Sequence, residues 1–322
     1  MIRFLLGRAV LLVLGLGVAS LLIFLALRVL PGDVAQVIGG TTATPEQVAR
    51  IRESLGLNES PAAQYIAWVA GLLRGDLGTS LLTGVPIGDD LARRFEITLP
   101  LTLLALVIAL AVALPLGTYS ALRHDRPIGV AVGFGSQTLA AVPALWAGLL
   151  LILLFGRGVG LIGLLPTSGF PRSGWQDPLT ALASLLLPAL TIGLIEGAVL
   201  LRFVRSAALE ALDQDYVRAG AARGLTRPQA LARHGLPNVG LSIVSVSGLI
   251  LAGLITGAVL IEALFNLPGV GRMLVDDVGS RDIAKVQSEV FFLTGIVLVI
   301  GALIDVAHRL IDPRQRERAV AA

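Results

Sequence analysis

Cysteine is absent from this sequence, lysine occurs once, at Lys285, methionine twice and histidine three times. Without cysteine there are no disulfides, thiolate metal sites or cysteine nucleophiles. A Walker-type phosphate loop needs a lysine after a glycine-rich turn, and the single lysine stands in Arg-Asp-Ile-Ala-Lys-Val, so this chain is not itself an ATPase. His124, His234 and His308 all fall beside expected cytoplasmic connections, which leaves no metal relay or zinc-protease motif inside the apolar runs. Nor does any of those runs hold a histidine or lysine away from its ends to activate a serine, His308 standing at the cytoplasmic end of the last, which argues against intramembrane hydrolysis. Charge is scarce too. The 322 residues are 15% charged and 55% hydrophobic, with a mean hydropathy of +0.84, a balance suited to lipid as solvent. The net charge of +3 comes from arginines that punctuate apolar runs without forming one basic stripe, which speaks against nucleic acid as a partner.

Crossing a hydrocarbon core of about 30 Å takes roughly 20 apolar residues as helix. Six runs qualify: Ala9–Leu30, Thr98–Leu122, Ile128–Phe155, Ala181–Leu201, Val239–Leu264 and Ser288–Leu310. The first follows Arg3 and Arg8 but is too long for a signal peptide and lacks a small-residue cleavage pattern, so it reads as a retained anchor. Short connections on one side carry fourteen arginines and those on the other five basic residues, which predicts a multi-pass protein of the bacterial plasma (inner) membrane with both termini cytoplasmic. The expected fold is an all-α integral membrane protein of about six transmembrane helices. It divides into a first span (1–30), an extracytoplasmic amphipathic helical insertion (31–97), a five-helix core (98–310) with a cytoplasmic coupling-helix loop (202–238), and a cytoplasmic tail (311–322).

Two short helices are legible in the insertion. Thr44-Pro45-Glu46-Gln47 reads as N-cap, first-turn proline and capping box, followed by Val48, Ile51 and Leu55 on one face and a stop at Gly56. A second helix, about Pro61 to Leu73, carries Tyr65 and Trp68 and ends at Gly75. Such helices either rest on the membrane interface with their aromatics at headgroup level or present a docking surface to an external partner.

The loop 202–238 is too patterned for a tether and too polar for lipid. Asp213 or Asp215 can cap a short helix through Tyr216, Arg218, Ala219 and Ala222, which Gly224 ends by permitting a left-handed turn. Thr226-Arg227-Pro228-Gln229 repeats the capping-box pattern and starts a second helix, expected to end before Leu236-Pro237. The small run Ala219-Gly220-Ala221-Ala222 admits close approach of another backbone or groove, which suggests docking.

Gly224, nine residues, His234, one residue and then Leu236-Pro237 resembles the EAA loop of ABC-importer permeases, in which a glycine and a terminal Leu-Pro frame a coupling helix. The run Asp215 to Leu225, with Arg218 where the general motif has glutamate, looks like the version in dipeptide, oligopeptide and nickel importer permeases. Further marks in the same order are Leu30-Pro31-Gly32-Asp33, Leu55-Gly56-Leu57, Gln64-Tyr65, Gly75-Asp76-Leu77-Gly78 with Ser80, Glu262, Phe265, Pro268-Gly269-Val270-Gly271, Arg281-Asp282 and Asp312-Pro313-Arg314. The resemblance implies a permease subunit that forms a translocation path for di- or oligopeptides together with a second homologous permease. It also implies two cytoplasmic subunits that bind ATP and Mg, an extracytoplasmic solute-binding protein, and no cofactor on this chain. The coupling residues it assigns are Asp215, Tyr216, Arg218, Ala219, Ala222, Gly224, Leu236 and Pro237.

Glu196 stands inside the fourth run, where a carboxylate costs about 2.5–3.5 kcal/mol on insertion scales and turns to a cavity or a partner. It either lines the translocation path, pairs with Arg202 or Arg205, or meets the second permease. Two rivals differ in class. A metal or metal-chelate importer permease of the same family lacks intramembrane histidine, cysteine or methionine as ligands for a bare ion. An ion-coupled secondary transporter requires mid-membrane ionisable groups, and Glu196 alone is offered.

Overall fold

A computed structural model describes residues 2–29, 34–39, 43–54 and 56–311. The motifs Leu30-Pro31-Gly32-Asp33 and Asp312-Pro313-Arg314, and residue Leu55, lie outside the described residues. The helices in chain order are α1 (Ile2–Val29), α2 (Val34–Gly39), α3 (Pro45–Ser54), α4 (Pro61–Leu73), α5 (Ile87–Leu122), α6 (Pro127–Ala140) and α7 (Ala144–Phe155). They continue with α8 (Pro178–Leu212), α9 (Asp215–Ala222), α10 (Arg227–Ala230), α11 (Leu236–Leu264), α12 (Val270–Ser280) and α13 (Ile283–Ile311). Five are long and apolar enough to cross a membrane, and α6 with α7 makes a sixth if the pair is one span.

The helices exceed the expected runs because their ends are polar. The 35 residues of α8 and the 36 of α5 extend to about 52–54 Å, well beyond the hydrocarbon thickness. Thus α8 continues past Leu201 through Arg202 and Arg205 to Leu212, and the predicted loop 202–238 is helical for its first third. Asp177 caps α8 by accepting from Thr180 Oγ1 (2.6 Å) and Thr180 N (3.3 Å), bonds that hold its carboxyl below the usual carboxylate range. The run Ile128–Phe155 differs most from expectation: it breaks between α6 and α7 with a bend of 106°. Pro143 stands at the break as the N-cap of α7, with ψ of 136° outside the helical range, and it has no N–H to bond back to α6. Pro100 and Pro115 are carried inside α5, and Pro188 inside α8.

The chain divides into two compact units, 1–98 with 268–299, and 99–267 with 300–322. In the first, the capping box expected at Thr44 is met. Thr44 N donates to Gln47 Oε1 (2.8 Å) and Gln47 N to Thr44 Oγ1 (3.3 Å), while Ser60 caps α4 through Ala63 N. Gly56 and Gly75 follow α3 and α4 with φ of 65° and 78°. The aromatics of α4 pack on other helices of the same unit. Tyr65 bonds Ser20 Oγ of α1 (3.0 Å) and packs on Phe24, and Trp68 meets Phe291 of α13 edge to face at 5.6 Å. Ile87 and Leu91 of α5 pack with Val270 and Met273 of α12.

Two motifs distant in sequence close on each other here. Buried Asp282 accepts from Ser80 Oγ (2.5 Å), Leu81 N and Lys285 N, the last capping α13, and Ser288 Oγ donates to Leu77 O. Arg281 takes the left-handed cap of α12 at φ 63°. Beside this junction Lys285 Nζ sits between Asp90 Oδ2 of α5 (3.0 Å) and Asp277 Oδ2 of α12 (2.9 Å), while Arg94 Nε reaches Asp90 Oδ1 (3.1 Å). Fully buried Glu289, one turn on from Lys285, has no hydrogen-bond partner on either carboxylate oxygen among the described residues.

In the second unit, α8 is the central helix, packed by α6, α7 and α11. Small residues allow close contact, as lipid-embedded helices require where no hydrophobic force separates protein from solvent. A Cβ on Gly193 of α8 would stand 2.7 Å from Ala105 O of α5, so the two backbones touch there. Ala121, Ala208, Ala211 and Leu231 form a core cluster at the other end of α8. Across α11 and α13, Ser245 Oγ and His308 Nε2 lie 2.6 Å apart.

Candidate functional site

The segment from Leu212 to Leu236 is built from two capped helices on a small-residue base. In α9, helical spacing divides the residues by role. Val217 and Gly220 are buried, and a Cβ on Gly220 would meet His234 Cδ2 at 3.0 Å. Asp215, Tyr216, Arg218, Ala219 and Ala222 are exposed, with Tyr216 at 40%. The helix is thus pinned by one face and presents the other. Its first N–H groups are met by the Gln214 carbonyl, from Val217 N and Arg218 N (both 3.1 Å). Asp213, the C-cap of α8, and Arg218 approach to 3.6 Å, a pair so exposed that it contributes little. Gly224 has φ of 94°, and the turn it makes brings Leu225 N back to Gly220 O (3.3 Å).

Thr226 and Gln229 complete the second capping box, with Thr226 N donating to Gln229 Oε1 (3.0 Å). The helix it opens does not end before Leu236-Pro237. After Ala230 the chain widens into a π-helical turn, Leu231–Gly235, and runs directly into α11. Pro237 lacks the N–H that an ordinary turn would bond to its i−4 carbonyl, and the wider turn removes that demand. The same turn sets Leu231 and Gly235 into the base, where a Cβ on Gly235 would meet Ala211 Cβ at 3.4 Å. Leu236 and Pro237 therefore open α11; their side chains lie outside the described residues.

Beside α9 a cavity of about 390 Å³ is lined by His124, Asp125, Asp213, Arg218 and Arg227 together with Val217. His124 Nε2 and Asp125 Oδ1 are 2.9 Å apart in the turn between α5 and α6. That turn is fixed by Ser120, whose Oγ donates to Gly129 O (2.8 Å) and accepts from Arg205 Nε (3.1 Å). Arg205 is thereby committed to α5 and not to Glu196. Half-buried Glu196 has no ion-pair partner among the described residues, while its neighbours Gly193 and Gly197 face α5. Sequence reasoning placed the exposed side chains of α9 but missed their anchors, Val217, Leu231, Gly235, Ala208 and Ala211. An apolar residue at the i, i+3 positions of a short polar helix was the available signal for Val217.

These features describe a chain with five helices, or six if α6 and α7 are one span, long and apolar enough to cross a membrane, and a short helical element anchored on the end of a long helix. The family described as binding-protein-dependent transport system inner membrane component matches residues 113–317, and its N-terminal membrane component matches residues 1–102. The chain belongs to this family. It is 36% identical over 305 residues to a probable peptide ABC transporter permease protein of Sinorhizobium fredii (strain NBRC 101917 / NGR234), covering 94% of this chain and 95% of that one. A putative peptide transport system permease protein of Brucella abortus (strain 2308) is 36% identical over 303 residues, 93% and 94% of the two chains. The dipeptide transport system permease protein DppB of Escherichia coli (strain K12) is 32% identical over 320 residues, again 93% and 94%.

Proposed function

We propose that this chain is the permease of an ATP-driven importer of peptides, lining the translocation path with a second, similar permease. Two cytoplasmic subunits bind ATP and Mg and hydrolyse the nucleotide, and an external binding protein delivers the solute. Both termini face the cytoplasm. The observation that carries the reading is the division of α9 into an anchored and a presented face at the end of α8. Asp215, Tyr216, Arg218, Ala219 and Ala222 are the surface for an ATPase cleft; Gly224 sets the turn, and Leu236-Pro237 begin the return helix. Movement of α9 passes through its anchors to α8 and α11, a rigid-body lever in which nucleotide and solute each favour a different state. The peptide substrate rests on what the relatives are named for and on the resemblance of the Asp215–Leu225 run.

Purification from native membranes tests this. The expected result is recovery of a second permease with two ATP-binding subunits, whose ATPase activity in proteoliposomes rises on adding binding protein loaded with peptide. A chain that purifies alone and moves solute without ATP refutes it.

Glu196 lines the path in this reading, since Arg205 is held by Ser120 and Glu196 has no ion-pair partner among the described residues. Glu196→Gln is expected to lower uptake of peptides with a free ammonium relative to N-acetylated ones by severalfold. An unchanged ratio assigns Glu196 to the contact with the second permease.

A further inference from the structure

In the first unit a cavity of about 710 Å³ opens between the last turns of α1, the start of α4 and the first two turns of α13. Its wall is divided in chemistry. Phe24, Leu27 and Leu81 are among its apolar lining residues, and Arg28, Arg52, Glu59 and Gln64 among its polar ones. Arg28 is held in place, with its guanidinium over the Phe24 ring at 4.9 Å and Nη2 donating to Gln64 Oε1 at 2.6 Å. Both partners are neutral, and Arg28 forms no ion pair among the described residues, although Glu59 also lines the cavity. Gln64 is itself fixed, its amide donating to Glu59 O (3.0 Å). Trp68 also lines the cavity, and its indole Nε1 is buried with no acceptor among the described residues. A buried donor left unmade is unfavourable by about 1–3 kcal/mol, so its presence marks a place for an acceptor.

The cavity stands where a membrane span ends. Arg28 is in the last turn of α1, the level at which an arginine reaches lipid phosphates, and the helix leading to it is apolar and exposed at Leu21, Leu22 and Leu25. A ligand arriving along that helix is a lipid. We propose that this cavity is a phospholipid site: Arg28 takes the phosphodiester, the Trp68 N–H and Arg52 bond the same headgroup, and an acyl chain lies on Phe24 and Leu27. A bound lipid there ties α4 of the extracytoplasmic insertion to α1 and α13. Nothing in the peptide-importer reading requires it, and its failure leaves that reading untouched.

The test uses the full-length chain purified in detergent, stripped of lipid and titrated with phosphatidylglycerol, with bound lipid counted by native mass spectrometry. One phosphatidylglycerol per chain is expected to survive activation that strips the rest. Arg28→Gln, which removes a charge-assisted contact, is expected to lower the surviving fraction about tenfold. Trp68→Phe keeps the ring against Phe291 and deletes the donor, with an expected loss of about threefold, and it serves if the arginine variant misfolds. Wild-type retention in both variants overturns the proposal, as does displacement of the retained lipid by excess dialanine, which would make the cavity a solute site.

Discussion

Gly224→Asp is expected to reduce ATP-driven uptake by about tenfold or more, with the chain still inserted and folded. The residue adopts φ 94°, and no atom lies within 4 Å of where a Cβ would stand. Substitution therefore acts through the backbone and not through crowding. A side chain there is unfavourable by about 1–2 kcal/mol, and 1.4 kcal/mol already corresponds to a tenfold change in an equilibrium. The strain is relieved by rotating the turn, which shifts α9 on its anchors Val217 and Gly220 and misdirects Tyr216, Ala219 and Ala222. Core packing is spared because Gly224 is exposed. Gly224→Ala carries the same backbone strain without charge and separates the two contributions. Uptake at the wild-type rate in the aspartate variant would remove Gly224 from the coupling element.

Lys285→Met is expected to destabilise the chain by about 3–5 kcal/mol, read as a lower thermal unfolding midpoint and reduced yield. The ammonium stands 3.0 Å from Asp90 and 2.9 Å from Asp277, and its side chain is 12% exposed. Removing it leaves two carboxylates facing each other with poor access to water, and buried Glu289 close by on the same helix. The energetic loss comes from the unpaired charges more than from the bridge itself. The double variant with Asp277→Asn should recover more than half of it, since Asp90 keeps Arg94 at 3.1 Å. A single variant within 1 kcal/mol of wild type would show that water reaches these groups freely. The effect bears on function because the cluster joins α5, α12 and α13 within one unit.

What could be read beforehand were features set by local chemistry. Capping boxes at Thr44 and Thr226, glycine stops at Gly56, Gly75 and Gly224, and spans long enough for lipid depend on residues within a turn or two of each other. The caps and glycine turns occur in the structure, and five of the six runs are long helices, while Ile128–Phe155 is broken at a bend of 106°. Helix ends were read short, because hydropathy follows the lipid boundary while the hydrogen-bond ladder of α5 and α8 continues into water. The order of weak motifs suggested the family without saying why Gly75–Ser80 and Arg281-Asp282 belong together. Only the fold brings Ser80 onto Asp282, some two hundred residues away.

By itself, then, the sequence determined that the chain lives in lipid, that α3 and α10 start at the Thr44 and Thr226 capping boxes, that α3, α4 and α9 are followed by glycine turns, and that α9 exists. Tertiary structure decided which face of α9 is anchored, that Arg205 serves Ser120 and not Glu196, and that Tyr65 and Trp68 turn inward. It also decided that Lys285 is shared by two aspartates. Each of these depends on which distant side chain arrives at contact distance, and the local preferences of a helix carry no information about that.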